Sequence, residues 1–286
     1  MRIDSDAFDT SESSLRLPQP RLSEASFHGA DGTKITGLTD ERLCQSIGTR
    51  VLFTFRSGGV SSAPYGSLNL SYTVGDADAD VRENQRRLLS AFGAGEVDGL
   101  VQPNQVHGNE VLVVDDVAET QRLARAGADG IVCTKAGVPV LLCFADCTPV
   151  ILVAPDGSFA VLHAGWRGAI ADIAGIGLRK LAEQASCSPA DCNCYIGPHI
   201  GGCCYEVSRE LLDRFLDEYG PDCDAGSRRL DLSAAVGASL VRAGADAARI
   251  ADARLCTQCN TVLLYSYRAE DGVTGRHGAF AYREVD

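Results

Sequence analysis

"CFADCTPVILVAPDGSFAVLHAGWRG", residues 143–168, consists of two apolar runs on either side of the turn Pro155-Asp156-Gly157-Ser158. An Asp-Gly turn between such runs is a hairpin signal, so residues 150–163 are expected to form two paired strands. The runs are almost wholly apolar, which requires cover on both faces; a half-solvated strand would alternate with polar residues. Pro149 has no N–H to give a central ladder, which places a break just after Cys147. Asp146 and Cys147 then stand at a strand end, and His163 closes the return strand just before "AGWRG", the start of the next helix. A thiol, an imidazole and a helix N-terminus converge on one place. The free N–H groups of that helix end favour an anion, and Arg167 would add a charged fork. By spacing alone, a core thiol and a satisfied strand-end histidine remain the alternative.

Further strands are expected at "RVLFTF" (50–55), "EVLVVDD" (110–116), "ADGIVCT" (128–134), "VPVLLCFADC" (138–147), "ARLCT" (253–257) and "VLLYSYR" (262–268). Helices are expected at 76–95, with Asp80 as N-cap, Glu83 completing a capping box and Gly93 as stop, and at 169–185, where Gly175 and Gly177 weaken the pattern. Two more fall at 208–220, between Ser208 and Gly220, and at 231–245. Residues 1–40 are rich in Ser, Asp and Arg without a sustained period, and form a loosely ordered extension to a single catalytic domain over 41–286. No repeat of 20–50 residues divides that domain.

With 45% hydrophobic and 22% charged residues the chain has an ordinary globular composition. Its net charge of −12 argues against nucleic acid as a partner, and no apolar run is long enough to span a membrane. Only Lys34, Lys135 and Lys180 among the 26 basic residues are lysines; codon bias is the plainer explanation, the sharper one being that some arginines form rigid forks for an anion. Twelve cysteines in 286 residues, behind an acidic N-terminus with no signal segment, point to a reduced cytoplasmic protein whose thiols are mostly core residues. Cys256 and Cys259 form one C-x-x-C without a second pair at zinc-finger spacing, and Cys203–Cys204 is likewise unpartnered.

A polar loop, "QPNQVHG" (102–108), presents His107 just before a strand. Together His107, Cys147 and His163 would make the two-histidine, one-cysteine set of an open catalytic zinc site, whose fourth position is left for water. Spacings of 40 and 16 residues carry that reading only weakly. The order of motifs strengthens it. "FRSGGVSSAPYGSLNL", "QVHG", "ADGIV", "ADCTPV", "HAGWRG", "IGPHIGGCCYEV", "CT" (256–257), "YSYR" and "TGRHG" follow one another between residues 55 and 278. This string resembles the YfiH-type or laccase-domain family, also called purine nucleoside phosphorylase or peptidoglycan editing factor proteins. The likeness spans roughly residues 50–282.

The resemblance implies a metal held by His107, Cys147 and His163; the ligand set suits zinc, and the order of metal affinities permits copper as a substitute. It implies an α/β sandwich of mixed sheet flanked by helices, related in fold to bacterial toxin deamidases with a Cys/His pair. It also implies phosphorolysis of adenosine, inosine, guanosine and methylthioadenosine, with adenosine deamination, so that purine nucleosides and phosphate are the small-molecule partners and no protein partner is called for. "FTFRSGG" departs from the more usual "FSTRxGG" but keeps Arg56, and His199 stands where relatives often have another residue, so it is given no ligand role. Within this frame Arg56 and Arg167 are expected to hold phosphate, and Arg268 and Arg276 to join them around phosphate or ribose. Asp146, beside a ligand, is favoured over Glu206 as the proton carrier for a metal-activated water. A hydrolase acting on muramyl-amino-acid amides of cell-wall precursors, with a metal water or a metal-free Cys147–His163 pair, is the first alternative. A copper polyphenol oxidase is disfavoured: five histidines, none in a His-x-His pair, cannot build a type 1 plus a trinuclear centre.

Overall fold

The computed structural model describes residues 16–285. Strands are β1 (Ser23–His28), β2 (Lys34–Thr39), β3 (Thr49–Thr54), β4 (Val111–Val114), β5 (Gly130–Cys133), β6 (Val140–Phe144), β7 (Thr148–Val153), β8 (Phe159–Ala164), β9 (Asn193–Ile196), β10 (Ile250–Asp252) and β11 (His277–Arg283). Helices are α1 (Glu41–Ile47), α2 (Asp78–Phe92), α3 (Val117–Ala126), α4 (Trp166–Ile170), α5 (Ile173–Gln184), α6 (Arg209–Tyr219) and α7 (Leu232–Arg242). The strands form two sheets, in the orders β1-β2-β3-β11-β6 and β10-β9-β7-β8-β5-β4. The first is antiparallel throughout; the second is mixed, with parallel pairs at both edges (β10·β9 and β4·β5).

Successive side chains on a strand face opposite ways, and here both faces are apolar. From β3, β6 and β11, Val51, Phe53, Leu142, Phe144, Ala279 and Ala281 meet Ile131, Ile151, Val153, Phe159 and Val161 of the second sheet. The alternate set, Leu52, Leu141 and Phe280, packs under Leu88 and Leu89 of α2. On the far side, Val150, Leu152, Ala160 and Leu162 meet Ile173, Leu178 and Leu181 of α5 and Val236 and Leu240 of α7. Helix, sheet, sheet and helices thus stack as four layers, which accounts for the near-continuous apolar runs. A Cβ on Gly177 would fall 2.4 Å from Leu162 Cδ1, so the glycine that weakens α5 as a helix lets it lie directly on β8.

The hairpin expected at 150–163 forms and runs from Thr148 to Ala164, with Val150 opposite Leu162 and Val153 opposite Phe159. The break before it has a larger consequence than a pause in one strand. β6 belongs to the first sheet and β7 to the second, so Ala145-Asp146-Cys147 is where the chain crosses between sheets. Pro149 lies inside β7, one residue from its start and opposite His163.

Other expectations need correction. Residues 1–15 lie outside the described residues, but residues 23–39 form the β1–β2 hairpin that extends the first sheet rather than a loose extension. Ile35 is fully buried there, while β1 is an exposed edge whose Ser/Glu composition hides its strand character. Helix α2 begins two residues before Asp80, after Ala77 and without a side-chain cap; Glu83 pairs with Arg86 and Arg87 instead of folding back. The segment 169–185 is not one helix, because Asp172 at φ 64° separates α4 from α5. Residues 253–257 and 262–268 form turns, not strands, apart from a single bridge between His199 and Cys256. No described helix is long and apolar enough to cross a membrane.

His277, at the start of β11, is fully buried, and neither ring nitrogen has a well-aligned hydrogen-bond partner. Burial, with Arg276 beside it, pushes its pKa down to about 3; the nearby Pro198 carbonyl offsets only part of this. Since the folded value lies below the unfolded one, protons bind the unfolded chain first. Stability is therefore expected to fall as pH drops from about 6.5 towards 3, by up to about 5 kcal/mol. Urea titrations of wild type and His277→Phe across that window should show a flatter profile for the variant. Identical profiles would show that His277 does not drive the acid loss.

Candidate metal centre

The crossover and the hairpin end bring Cys147 and His163 together, because Pro149 stands directly across the ladder from His163. His107 arrives from 40 residues upstream on the loop 102–108. Gln105 docks that loop on the edge of β6, donating to the Cys143 carbonyl at 2.8 Å and accepting from the Cys143 N–H at 2.8 Å. His107 itself sits at φ 61°. One ligand-capable atom from each of His107, Cys147 and His163 lies within 4.8 Å of the others. His163 is buried, Cys147 half-buried and His107 exposed, so the group opens to one side only.

Asp129 organises this cluster, although sequence reasoning gave it no role. It is fully buried at the foot of β5. Its carboxylate accepts from the backbone N–H groups of Val106 (3.2 Å), His107 (2.9 Å) and Gly108 (2.7 Å), and lies 2.7 Å from His163 Nδ1. That contact fixes the imidazole and leaves Nε2 for the side shared with Cys147. Burial opposes ionisation of Asp129, but the His163 contact and the loop amides hold its carboxyl below the ordinary range. The motif "ADGIV" was the available signal: an acid placed one residue before a wholly buried strand.

Gly165 is the second residue not anticipated. A Cβ there would stand 3.1 Å from Cys147 Sγ, 3.1 Å from His107 Cδ2 and 3.8 Å from His163 Cε1. The three donors crowd around a backbone kept bare. A soft thiolate, two imidazoles, a carboxylate behind one of them and an open fourth side fit a transition-metal ion such as zinc. Burial raises the Cys147 thiol, but the neighbouring His163 and His107 outweigh it and bring the thiol down, towards the thiolate that metals bind.

The group lies at the base of a cavity of about 990 Å³. Its walls carry Tyr72, Tyr205 and Tyr267, the amides of Gln85, Gln102 and Gln105, and Arg82, Arg125, Arg268 and Arg276. Of the arginines expected around an anion, Arg268 and Arg276 line this space. Arg276 is part-buried, with Nη1 on the carbonyls of Thr274 and Gly275, and burial pulls its pKa down. Arg268 donates to the Glu206 carbonyl at 3.2 Å, and its guanidinium lies 5.4 Å from the Tyr205 ring centre.

The other expected residues are placed differently. Arg56 lies outside the cavity lining; it donates to the carbonyls of Gly66, Thr261 and Leu264, pairs with Glu270 at 3.1 Å and stacks on Tyr265. Arg167 is exposed on the Trp166 ring in the five-residue α4 and lies outside the cavity lining. Glu206 turns its carboxylate outward to Arg228. Asp146 lines the cavity, but its oxygens accept from Thr257 Oγ1 (2.6 Å), Ser266 Oγ (2.8 Å) and the Arg268 N–H (2.6 Å). With three donors satisfied it secures the turns 257–268, a positioning role more than that of a free base. His199 Nδ1 donates to the Gly197 carbonyl at 2.9 Å, and the residue stays apart from the metal-type group.

Arg56→Ala is therefore expected to lower stability by about 2–4 kcal/mol, through lost buried hydrogen bonds, rather than to alter phosphate use. Thermal melting should fall by several degrees. An unchanged melt with a several-fold higher requirement for phosphate would restore the anion role.

A family model described as "Multi-copper polyphenol oxidoreductase laccase" matches residues 50–284. The chain is 36% identical over 246 residues to "Purine nucleoside phosphorylase YlmD" of Geobacillus stearothermophilus, covering 82% of this chain and 89% of that one. It is 32% identical over 234 residues to "Adenosine deaminase RL5" from an unknown prokaryotic organism, covering 77% and 88%. Among solved structures, YlmD of Geobacillus stearothermophilus superposes with a TM-score of 0.76 at 35% identity, over 83% of this chain and 93% of that one. The Bacillus licheniformis hypothetical protein YfiH gives a TM-score of 0.79 at 28% identity, over 87% and 96%.

Proposed function

The chain belongs to the laccase-domain family, and from that premise we propose that it is a metal-dependent purine nucleoside enzyme, phosphorolysing adenosine, inosine, guanosine and methylthioadenosine and also deaminating adenosine. The observation that carries this reading is the His107–Cys147–His163 group at the base of a cavity walled by tyrosines and arginines. Relatives named for nucleoside phosphorolysis and for adenosine deamination support it. The cavity is at the upper end of the range for small-molecule sites, large enough for a nucleoside together with phosphate.

Tyr205, Tyr267 and Tyr72 offer faces for a purine, and the amides of Gln102 and Gln105 offer polar contacts at its edge. In this reading Arg276 and Arg268, two of the four arginines on the cavity wall, hold phosphate against the ribose. Phosphate oxygen forms a bond to C1′ as the bond from C1′ to the purine nitrogen breaks, and the purine leaves with the electron pair and takes up a proton. His107, Cys147 and His163 would hold the metal, which would supply Lewis acidity at the cavity. Asp129 keeps His163 and the His107 loop in register for that task.

Adenosine with the metal-loaded protein and phosphate is expected to give adenine and ribose 1-phosphate, with inosine or hypoxanthine from deamination. Omitting phosphate should stop the first reaction and spare the second. Protein that leaves nucleosides untouched but hydrolyses a muramyl-amino-acid amide, or oxidises phenols with copper and oxygen, would overturn the proposal.

A further inference from the structure

Four cysteines that the sequence shows as an unpartnered C-x-x-C and an unpartnered Cys-Cys meet in space. Cys203 and Cys204 lie in the turn after β9, and Cys256 and Cys259 in the turn after β10. All four Sγ atoms lie within 4.8 Å of one another. Cys259 Sγ is 3.4 Å from Cys204 Sγ and 3.7 Å from Cys203 Sγ, and Cys256 Sγ accepts from the Gly201 N–H at 3.3 Å. Four sulfurs each about 2.3 Å from a tetrahedral ion stand about 3.8 Å apart, so the observed separations match one such ion. An all-against-all cluster is also what one ion requires; two disulfides would draw the sulfurs into separate pairs. Arg229 donates to the Cys203 carbonyl at 3.0 Å and brings positive charge beside a set that gathers negative charge on losing its protons.

We propose that Cys203, Cys204, Cys256 and Cys259 form a second, closed metal site that holds one zinc-type divalent ion with a structural role. Structural sites fill all four positions with protein sulfur, whereas the His107–Cys147–His163 group leaves one open. The placement explains what such an ion would do. Residues 197–207 and 253–276 contain neither helix nor strand, yet they supply Ile200, Tyr205, Tyr267 and Arg268 to the cavity wall. Thr257, Ser266 and Arg268 in the second segment also hold Asp146 at the sheet crossover. An ion bridging the two turns staples that wall together.

The test is metal content by elemental analysis of protein purified without chelator, together with cobalt spectroscopy. Wild type should carry two ions per chain. Cys147→Ala should carry one, and the cobalt-loaded form should show the intense sulfur-to-cobalt charge-transfer band and tetrahedral visible bands of a four-thiolate site. Adding Cys259→Ser to Cys147→Ala should remove the second ion and those bands. The Cys147→Ala measurement leaves the proposed site unaltered, so it decides the matter even if Cys259→Ser fails to fold. Cys147→Ala protein that holds no ion, takes up no cobalt and shows four reactive thiols at these positions would overturn the proposal. So would iron in place of zinc, or a disulfide among the four found by mass spectrometry.

Discussion

Cys147→Ala is expected to empty the His107–Cys147–His163 group of metal and to lower nucleoside turnover by at least about 10³-fold, with a melting temperature only a few degrees below wild type. The large effect follows from removing the one anionic donor of three. A Lewis acid stabilises developing charge by several kcal/mol, and each 1.36 kcal/mol is worth a factor of ten in rate. The small effect on stability follows from the side chain's position: Cys147 is half-buried and lines an open cavity, so the alanine leaves little enclosed void. Metal analysis beside the kinetics separates two mechanisms that both need the sulfur. A metal-free nucleophilic cysteine would lose activity in the variant while the wild-type group, active, carried no metal. Full activity and full metal in Cys147→Ala would sink the site assignment altogether.

Asp129→Asn should have the second largest effect, and should strike stability and metal affinity together. Three backbone N–H groups and the His163 ring converge on the carboxylate. An asparagine of the same size sets an NH₂ donor among groups that are themselves donors and removes a buried charge they were arranged to satisfy. Breaking such a network costs about 3–5 kcal/mol, and losing a carboxylate behind a ligating imidazole weakens metal binding about 10–100-fold. Calorimetric melting and a competitive zinc titration check the two effects separately. The sign with pH is also fixed. The folded pKa of Asp129 lies below its ordinary value of 3.8. Its contribution is therefore complete above about pH 4 and is lost as pH falls through the folded value. Asp129→Asn with wild-type melting and wild-type zinc affinity would remove Asp129 from the organising role.

The sequence by itself determined the features that local rules govern. The Asp-Gly turn between apolar runs gave the 148–164 hairpin, and Ser208 and Gly220 gave the ends of α6, where Ser208 accepts from the Leu211 N–H. It also supplied the motif order that marks the family, and with it His107, Cys147 and His163. What it could not decide was where side chains of similar chemistry point. Arg56 and Arg276 both stand in polar, glycine-containing loops; one is spent on carbonyls and Glu270, the other faces the cavity, because the paths of residues 261–276 differ around them. The strand expectations at 253–268 failed for a related reason: the segment is held by turns, by bonds from Thr257 and Ser266 to Asp146 and by Arg56 on the Thr261 carbonyl, and among the described residues it pairs with no strand. Asp129, Gly165 and the four-cysteine cluster belong wholly to the tertiary structure. Each draws its meaning from groups tens of residues away in the chain, brought within a few ångströms by the crossover between two sheets and the turns that follow β9 and β10.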